Sequence, residues 1–400
     1  MERVLSVTVV LPNEKRKAST YIKELRMLVE SAGGEVVGEL AVELREINPA
    51  FYLTRGKLAE LKELIDNTPV DLVVFGINLK ASQQRNIEDV LGVKTIDYTQ
   101  LILDIFARHA HSLEGKMQVE LAQLEYLLPR LTGKGIMLSR LGGGIGTRGP
   151  GETKLEVDRR RIAQRINKLK RELERYRAHR ERIRSSRKRV EIPTVSLIGY
   201  TSAGKSTLLN ALTLAEQKVS DDLFTTLDPL ARRIYLSDGR VAILSDTVGF
   251  IDRLPHNLVE AFKATLEEVV FSDALILVID GSDGDWDRKR RAVFRVLDEI
   301  GIGNNKPILT AINKIDIAPE FLLDEIEKVV PNPVCISAFK REGLKELMEK
   351  LTILLSPVLP YKEALIPYSQ AGILARIRQK GRIVKEEYRE DGIFVKGYWK

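Results

Sequence analysis

The stretch Thr194-Val195-Ser196-Leu197-Ile198-Gly199-Tyr200-Thr201-Ser202-Ala203-Gly204-Lys205-Ser206-Thr207 decides how the chain around it is read. Its first five residues follow Pro193 as an apolar strand, and the rest matches a glycine, four residues and Gly-Lys-Ser, with a helix expected over Thr207 to Leu212. Gly199 and Gly204 allow the backbone to wrap a polyphosphate with successive amides turned inward, and the helix that follows presents its positive end. In this geometry Lys205 reaches the β- and γ-phosphates and the Ser206 hydroxyl binds Mg2+.

Working downstream, Val241-Ala242-Ile243-Leu244-Ser245 reads as a second buried strand that delivers Asp246-Thr247-Val248-Gly249. A carboxylate at that strand end holds the Mg2+ shell through water, and Gly249 offers its amide to a γ-phosphate, so one phosphate can order or release a loop. Two more apolar runs, Ala274 to Asp280 and Pro307 to Ile312, read as parallel strands, the second ending in Asn313-Lys314-Ile315-Asp316. An aspartate here accepts from the ring N1–H and the exocyclic amine of guanine, a donor pair that adenine lacks, while Lys314 lies over the purine plane. A last strand, Pro333 to Ile336, leads to Ser337-Ala338, whose backbone can reach the guanine O6.

Upstream, residues 1–112 alternate strand-like and helix-like patterns, which predicts a small α/β domain with a mostly parallel sheet. The helix opening at Thr54-Arg55-Gly56-Lys57 is a local candidate for meeting an anion, without the full phosphate-loop spacing. From residue 113 to 190 the texture is helical. Met117, Leu121, Leu124 and Leu128 form one stripe, and Leu155, Ile162, Ile166, Leu169, Leu173, Tyr176 and Ile183 form a coiled-coil seam, which together predict an antiparallel hairpin. Its connection, 132–153, is rich in glycine and carries Lys134, Arg140 and Arg148; a connection of that length is usually functional or disordered.

Charge singles out the same region. Lys154 to Val190 holds 16 basic and five acidic residues, a net of +11, so the rest of the chain is slightly acidic although the whole carries +7. A long basic hairpin with a Gly/Arg tip favours a phosphate backbone as partner. The candidate contacts to RNA are Lys134, Arg140, Gly142, Gly143, Gly144, Arg148, Arg159, Arg160 and Arg161. The single cysteine, Cys335, excludes an intramolecular disulfide and a Cys-cluster metal site, and four histidines give no zinc pattern. The apolar run Val4 to Leu11 is too short to span a membrane, so the expectation is a cytoplasmic protein with no membrane anchor.

Residues 194–356 resemble a Ras-like GTPase of the translation-factor-related class. Position by position, the resemblance makes Thr226, in Phe224-Thr225-Thr226-Leu227, the switch threonine that binds Mg2+ and senses the γ-phosphate. The tip, Ser139-Arg140-Leu141-Gly142-Gly143-Gly144-Ile145-Gly146-Thr147-Arg148-Gly149-Pro150-Gly151-Glu152-Thr153, together with Asp246-Thr247-Val248-Gly249-Phe250-Ile251, closely resembles the HflX family of ribosome-associated GTPases. That resemblance implies binding to the large ribosomal subunit and its RNA, with the tip directed toward the peptidyl transferase region. It implies GTP-dependent splitting or rescue of stalled ribosomes under stress, GTP and GDP as substrate and product, and a second nucleotide, ATP, at the N-terminal domain.

Catalysis then rests on Lys205, Thr226 and Gly249, because Phe250 stands where many Ras-like GTPases carry a water-orienting glutamine. Slow intrinsic turnover, stimulated by ribosomes, follows. Ser202 departs from the asparagine common in HflX-like sequences. The expected GTPase domain is 191–356, followed by a small α+β domain, 357–400, with Ile373, Leu374 and Ile377 turned inward on its helix. Two other readings fit the residues: a nucleotide-dependent remodelling factor for free RNA, using ATP, and a protein-interaction module whose exposure is regulated by GTP.

Overall fold

The computed structural model describes residues 1–12, 18–131, 154–190, 192–213, 230–252, 263–302, 306–355 and 360–399. Among the sites expected from sequence, Lys134, Arg140, Gly142, Gly143, Gly144, Arg148, Phe224, Thr225 and Thr226 lie outside the described residues. These residues fall into two compact units, one ending at Tyr176 and the other beginning at Arg177, inside the helix Lys154–Val190.

The first unit is built on four strands, β1 (Glu2–Val10), β2 (Gly34–Glu43), β3 (Leu72–Phe75) and β4 (Lys94–Ile96), in the order β2-β1-β3-β4 and all parallel. Parallel neighbours need crossovers, and helices Ala18–Ser31, Arg55–Asn67 and Ala81–Leu91 supply them. Leu72-Val73-Val74-Phe75 is buried at all four positions, as an unbroken apolar run in an interior parallel strand should be. Val7, Val9, Leu61, Phe75, Ile87 and Leu91 form the centre of this core.

At the end of β4 sits Asp97, a fully buried carboxylate. It caps helix Tyr98–His109 by accepting from the Gln100 amide at 2.9 Å, and it also accepts from the Leu79 amide at 3.1 Å. Two further bonds come from beyond that helix: Tyr126 Oη at 2.8 Å and Arg130 at 3.0 Å. Burial, then the neighbouring Asp97 charge, push the Tyr126 hydroxyl well above its ordinary pKa. Both partners belong to the stretch that begins with helix Leu113–Leu127, so the carboxylate pins the foot of the helical region to the sheet.

Helices Leu113–Leu127 and Lys154–Val190 meet through Leu121, Ile166 and Leu169, with Met117, Leu124, Leu128, Ile162 and Leu173 around them. Glu120 pairs with Arg165 at 2.6 Å and Glu125 with Lys170 at 2.8 Å along the rim of this contact. Of the expected seam, the side chains of Leu155 and Ile183 lie outside the described residues.

The second unit centres on a six-stranded mixed sheet, β10-β9-β8-β5-β7-β6, formed by β5 (Thr194–Gly199), β6 (Leu230–Tyr235), β7 (Val241–Asp246), β8 (Ala274–Asp280), β9 (Ile308–Asn313) and β10 (Pro333–Cys335). Only β6 against β7 is antiparallel. Consequently β5, β7, β8 and β9 all point their carboxyl ends the same way, which gathers the motifs that follow them. Cys335 bonds through its thiol to Glu327 at 3.0 Å; burial, then the hydrogen bond to that carboxylate, push its pKa up to about 12.

After this sheet, β11 (Tyr361–Ile366), β12 (Arg382–Arg389) and β13 (Gly392–Tyr398) form an antiparallel sheet in the order β11-β13-β12, covered by helix Ala371–Lys380. Leu374 and Ile377 pack onto Ile366, Ile393, Val395 and Trp399. Ile373, expected inward, is 46% exposed. A helix turns about 100° per residue, so the face that buries Leu374 and Ile377 carries Ile373 away from the sheet. The Arg240 guanidinium bonds Asp238 at 2.6 Å and lies 4.6 Å from the Tyr398 ring centroid, tying the last strand to the β6–β7 turn.

Candidate functional site: a phosphate loop at the strand ends

The site forms where β5, β7, β8 and β9 end. Between β5 and helix Lys205–Thr213, the loop Gly199 to Gly204 turns so tightly that three residues, Gly199, Ser202 and Gly204, take positive φ. Gly204 has φ +93°, and a Cβ there would stand 2.2 Å from Asn313 Nδ2. At Ser202 φ is 59°, a region that asparagine tolerates better than serine. Gly249 approaches from the other side: a Cβ on it would meet Thr201 Cγ2 at 2.8 Å and Lys205 Nζ at 3.2 Å. These glycines leave a cradle that side chains would fill.

Lys205 is buried, and its ammonium donates to the carbonyls of Gly199 at 3.1 Å and Tyr200 at 2.8 Å. Burial lowers its pKa to about 8, against the opposing pull of Asp246. Ser206 Oγ donates to Asp246 Oδ2 at 2.6 Å, so the two oxygen groups expected to serve Mg2+ are already adjacent. Asp246 is held in turn by the Thr247 amide at 2.9 Å, and Thr247 Oγ1 donates to the Leu197 carbonyl at 2.6 Å. Hydroxyl, carboxylate and a neighbouring polyphosphate would make the oxygen shell that Mg2+ requires. Among the described residues no group of three His, Cys, Asp or Glu side chains is placed to hold a metal.

At the end of β9, Asn313 is a brace. Its Nδ2 donates to the Ala203 carbonyl and its Oδ1 accepts from the Ala338 amide, both at 2.9 Å. Of the Ser337-Ala338 backbone expected to reach the guanine O6, the Ala338 amide is therefore engaged by Asn313. Asp316 accepts from Ser337 Oγ at 2.8 Å through one oxygen. Lys314, at φ 67°, bonds Asp280 at 2.6 Å, which ties its side chain to the end of β8. Asp280 was not singled out by sequence; its only signal was a carboxylate at a strand end.

Phe250 is 3% exposed, its amide donates to the Gly199 carbonyl at 3.1 Å, and its carbonyl accepts from the Thr201 amide at 2.9 Å. The residue in the glutamine's place is thus core and backbone strap together. Thr207 lies in the first turn of the helix Lys205–Thr213, which starts two residues earlier than expected from sequence, and Val248 is buried beside Gly249. Sequence reasoning also missed Asp252 and Arg288, a buried ion pair at 2.8 Å whose residues are 36 positions apart.

The other candidates lie in the first unit. Arg159, Arg160 and Arg161 are exposed on the helix Lys154–Val190. At Arg55–Asn67 the helix start caps itself: Thr54 Oγ1 accepts from the Lys57 amide at 3.4 Å, and the Lys57 ammonium bonds Glu60 at 2.7 Å. The Lys57 amide and ammonium are thus both engaged within the helix start. No described helix is long and apolar enough to cross a membrane.

Comparison with known proteins agrees with this geometry. Three family models match in order: a GTP-binding GTPase N-terminal region over residues 19–107, a GTP-binding GTPase middle region over 109–187, and a 50S ribosome-binding GTPase over 194–314. GTPase HflX of Caldanaerobacter subterraneus subsp. tengcongensis is 47% identical over 395 residues, covering 99% of this chain and 90% of that protein. GTPase HflX of Escherichia coli is 42% identical over 373 residues, covering 93% and 87%. Among solved structures, the crystal structure of SsGBP in complex with GDP aligns with a TM-score of 0.50 and 32% identity, over 89% of this chain and 99% of that one. From the phosphate loop to the N-terminal sheet, the likeness runs the length of the molecule, and the chain belongs to the HflX family of GTPases.

Proposed function

We propose that this GTPase is a GTP-driven switch that binds the large ribosomal subunit and splits or rescues stalled ribosomes. The observation that carries the reading is the separation of two chemistries on one chain. The phosphate-loop stretch, Asp246-Thr247-Val248-Gly249 and Asn313-Lys314-Ile315-Asp316 come together at the ends of β5, β7 and β9, while the basic excess lies on the helix Lys154–Val190. The match to a 50S ribosome-binding GTPase over residues 194–314 supports the choice of partner. In this account 1–112 is the N-terminal α/β domain, 113–190 an antiparallel helical hairpin with its Gly/Arg tip at 132–153, 191–356 the GTPase domain, and 357–400 a small C-terminal domain. Arg171 and Arg175 extend the exposed basic face begun by Arg159, Arg160 and Arg161.

At the nucleotide, Lys205 binds phosphate oxygens, Ser206 and Asp246 hold the Mg2+ shell, Asp316 reads the guanine edge and Lys314 covers the base. Bound Mg2+ would neutralise charge that develops on the phosphates. Hydrolysis proceeds without a water-orienting side chain at Phe250, so it is slow until a partner completes the site. The experiment is co-sedimentation with separated ribosomal subunits in a non-hydrolysable GTP analogue. Binding to the large subunit, lost when 133–151 is deleted while nucleotide binding persists, supports the reading. Binding to free RNA alone, or to neither, overturns it in favour of RNA remodelling or a protein-interaction role.

A further inference from the structure

A phosphate loop needs backbone amides, a lysine and a hydroxyl, and nothing in that chemistry calls for a buried phenol at its second residue. Yet Tyr200 is 5% exposed, and its hydroxyl is used: Tyr200 Oη accepts a hydrogen bond from the Asp252 amide at 2.9 Å. Asp252 itself is buried, with one carboxylate oxygen on Arg288 at 2.8 Å and the other on Arg295 at 3.4 Å. Lys289 Nζ stands 5.0 Å and the Arg288 guanidinium 5.9 Å from the Tyr200 ring centroid, both within cation–π range. All three cationic side chains come from helix Trp286–Glu299.

The chain leaving Gly249 is therefore strapped to the phosphate loop at three successive points. Gly199 accepts from the Phe250 amide, the Thr201 amide donates to the Phe250 carbonyl, and Tyr200 accepts from the Asp252 amide. Two of these straps are generic backbone pairs, whereas the third requires a hydroxyl on the side chain. With the Phe250 ring buried, the Gly249 amide is the group in this segment available to a γ-phosphate, and its position depends on how the next three residues are held.

We propose that Tyr200 is a positioning residue for GTP hydrolysis: through the Asp252 amide, which the Asp252–Arg288 pair locks in place, it sets where Gly249 meets the γ-phosphate. GDP has no γ-phosphate, so its binding does not use this strap. Single-turnover GTP hydrolysis by the full-length protein tests the proposal, with GDP affinity and thermal melting measured on the same samples. Tyr200→Phe removes the hydroxyl to which the Asp252 amide donates, and it is expected to lower kcat about tenfold while the Kd for GDP stays within about twofold. Asp252→Asn keeps the amide and the volume but weakens the pair with Arg288, and a loss of about threefold is expected. The double variant should be no slower than Tyr200→Phe, because both act through one amide. Unchanged kcat in either folded single variant overturns the proposal. So does a fall in GDP affinity that matches the fall in kcat, which would make Tyr200 a support of the phosphate loop alone.

Discussion

Raising the pH is the cleanest perturbation of the phosphate site, because Lys205 is buried and its pKa is lowered to about 8. A lysine in water titrates near 10.4, so the buried ammonium loses its proton some two pH units early. A polyphosphate beside it favours the charged form, and binding above pH 8 must therefore take up a proton. The uptake equals the fraction of Lys205 that is neutral before binding: about one tenth of a proton at pH 7 and about three quarters at pH 8.5. Calorimetry of GDP binding in two buffers of different ionisation enthalpy reads this number directly. Affinity should weaken across the same window, approaching about tenfold per pH unit once the pH exceeds the free-site pKa. Stability of the nucleotide-free protein should move the opposite way. The unfolded chain keeps its proton to higher pH than the folded one, so this lysine's unfavourable contribution shrinks as pH rises from about 8 to about 10.4. Zero proton uptake at pH 8.5 would refute the reasoning, since it would mean that burial among the Gly199 and Tyr200 carbonyls does not disfavour the charge.

Asp316→Asn exchanges a carboxylate for an amide at the guanine edge and should move preference from GTP toward xanthosine triphosphate, read by competition against a fluorescent GDP; unaltered guanine selectivity would remove Asp316 from base recognition. In the first unit, Asp97→Ala strips a buried charge from Arg130 and a hydrogen bond from Tyr126 Oη. The expected loss is about 3–5 kcal/mol in a denaturant titration, a range set by breaking one side of a buried pair; a loss under about 1 kcal/mol would show that Asp97 does not anchor the helical region.

Motifs that are contiguous in sequence are legible from the residues alone. Gly199 to Ser206, Asp246 to Gly249 and Asn313 to Asp316 fall at the ends of β5, β7 and β9, because an apolar run that ends in small or charged residues is a buried parallel strand meeting its loop. The same logic marked the basic excess of Lys154 to Val190, which needs only counting. What escaped were the braces that join distant segments. Asp252 and Arg288 are 36 residues apart, Asp97 and Arg130 are 33 apart, and Asp280 and Lys314 are 34 apart. Each is a carboxylate and a cation among many in the chain, and pairing them requires knowing which strands are neighbours. Local periodicity also misplaced Ile373 by one residue on its helix, because three apolar residues within five leave the buried face undecided until the sheet beneath is known.

The burial of Phe250 limits how this enzyme can be made faster. In many Ras-like GTPases a glutamine at this position would be the obvious graft for quicker turnover. Here a Phe250→Gln exchange would place an amide in a site that is 3% exposed, with the backbone on either side strapped to Gly199 and Thr201. An unpaired buried amide costs about 1–3 kcal/mol, and it would face packing rather than water. Gains in rate have to be sought outside this side chain, by redesigning what approaches the γ-phosphate from beyond the strap.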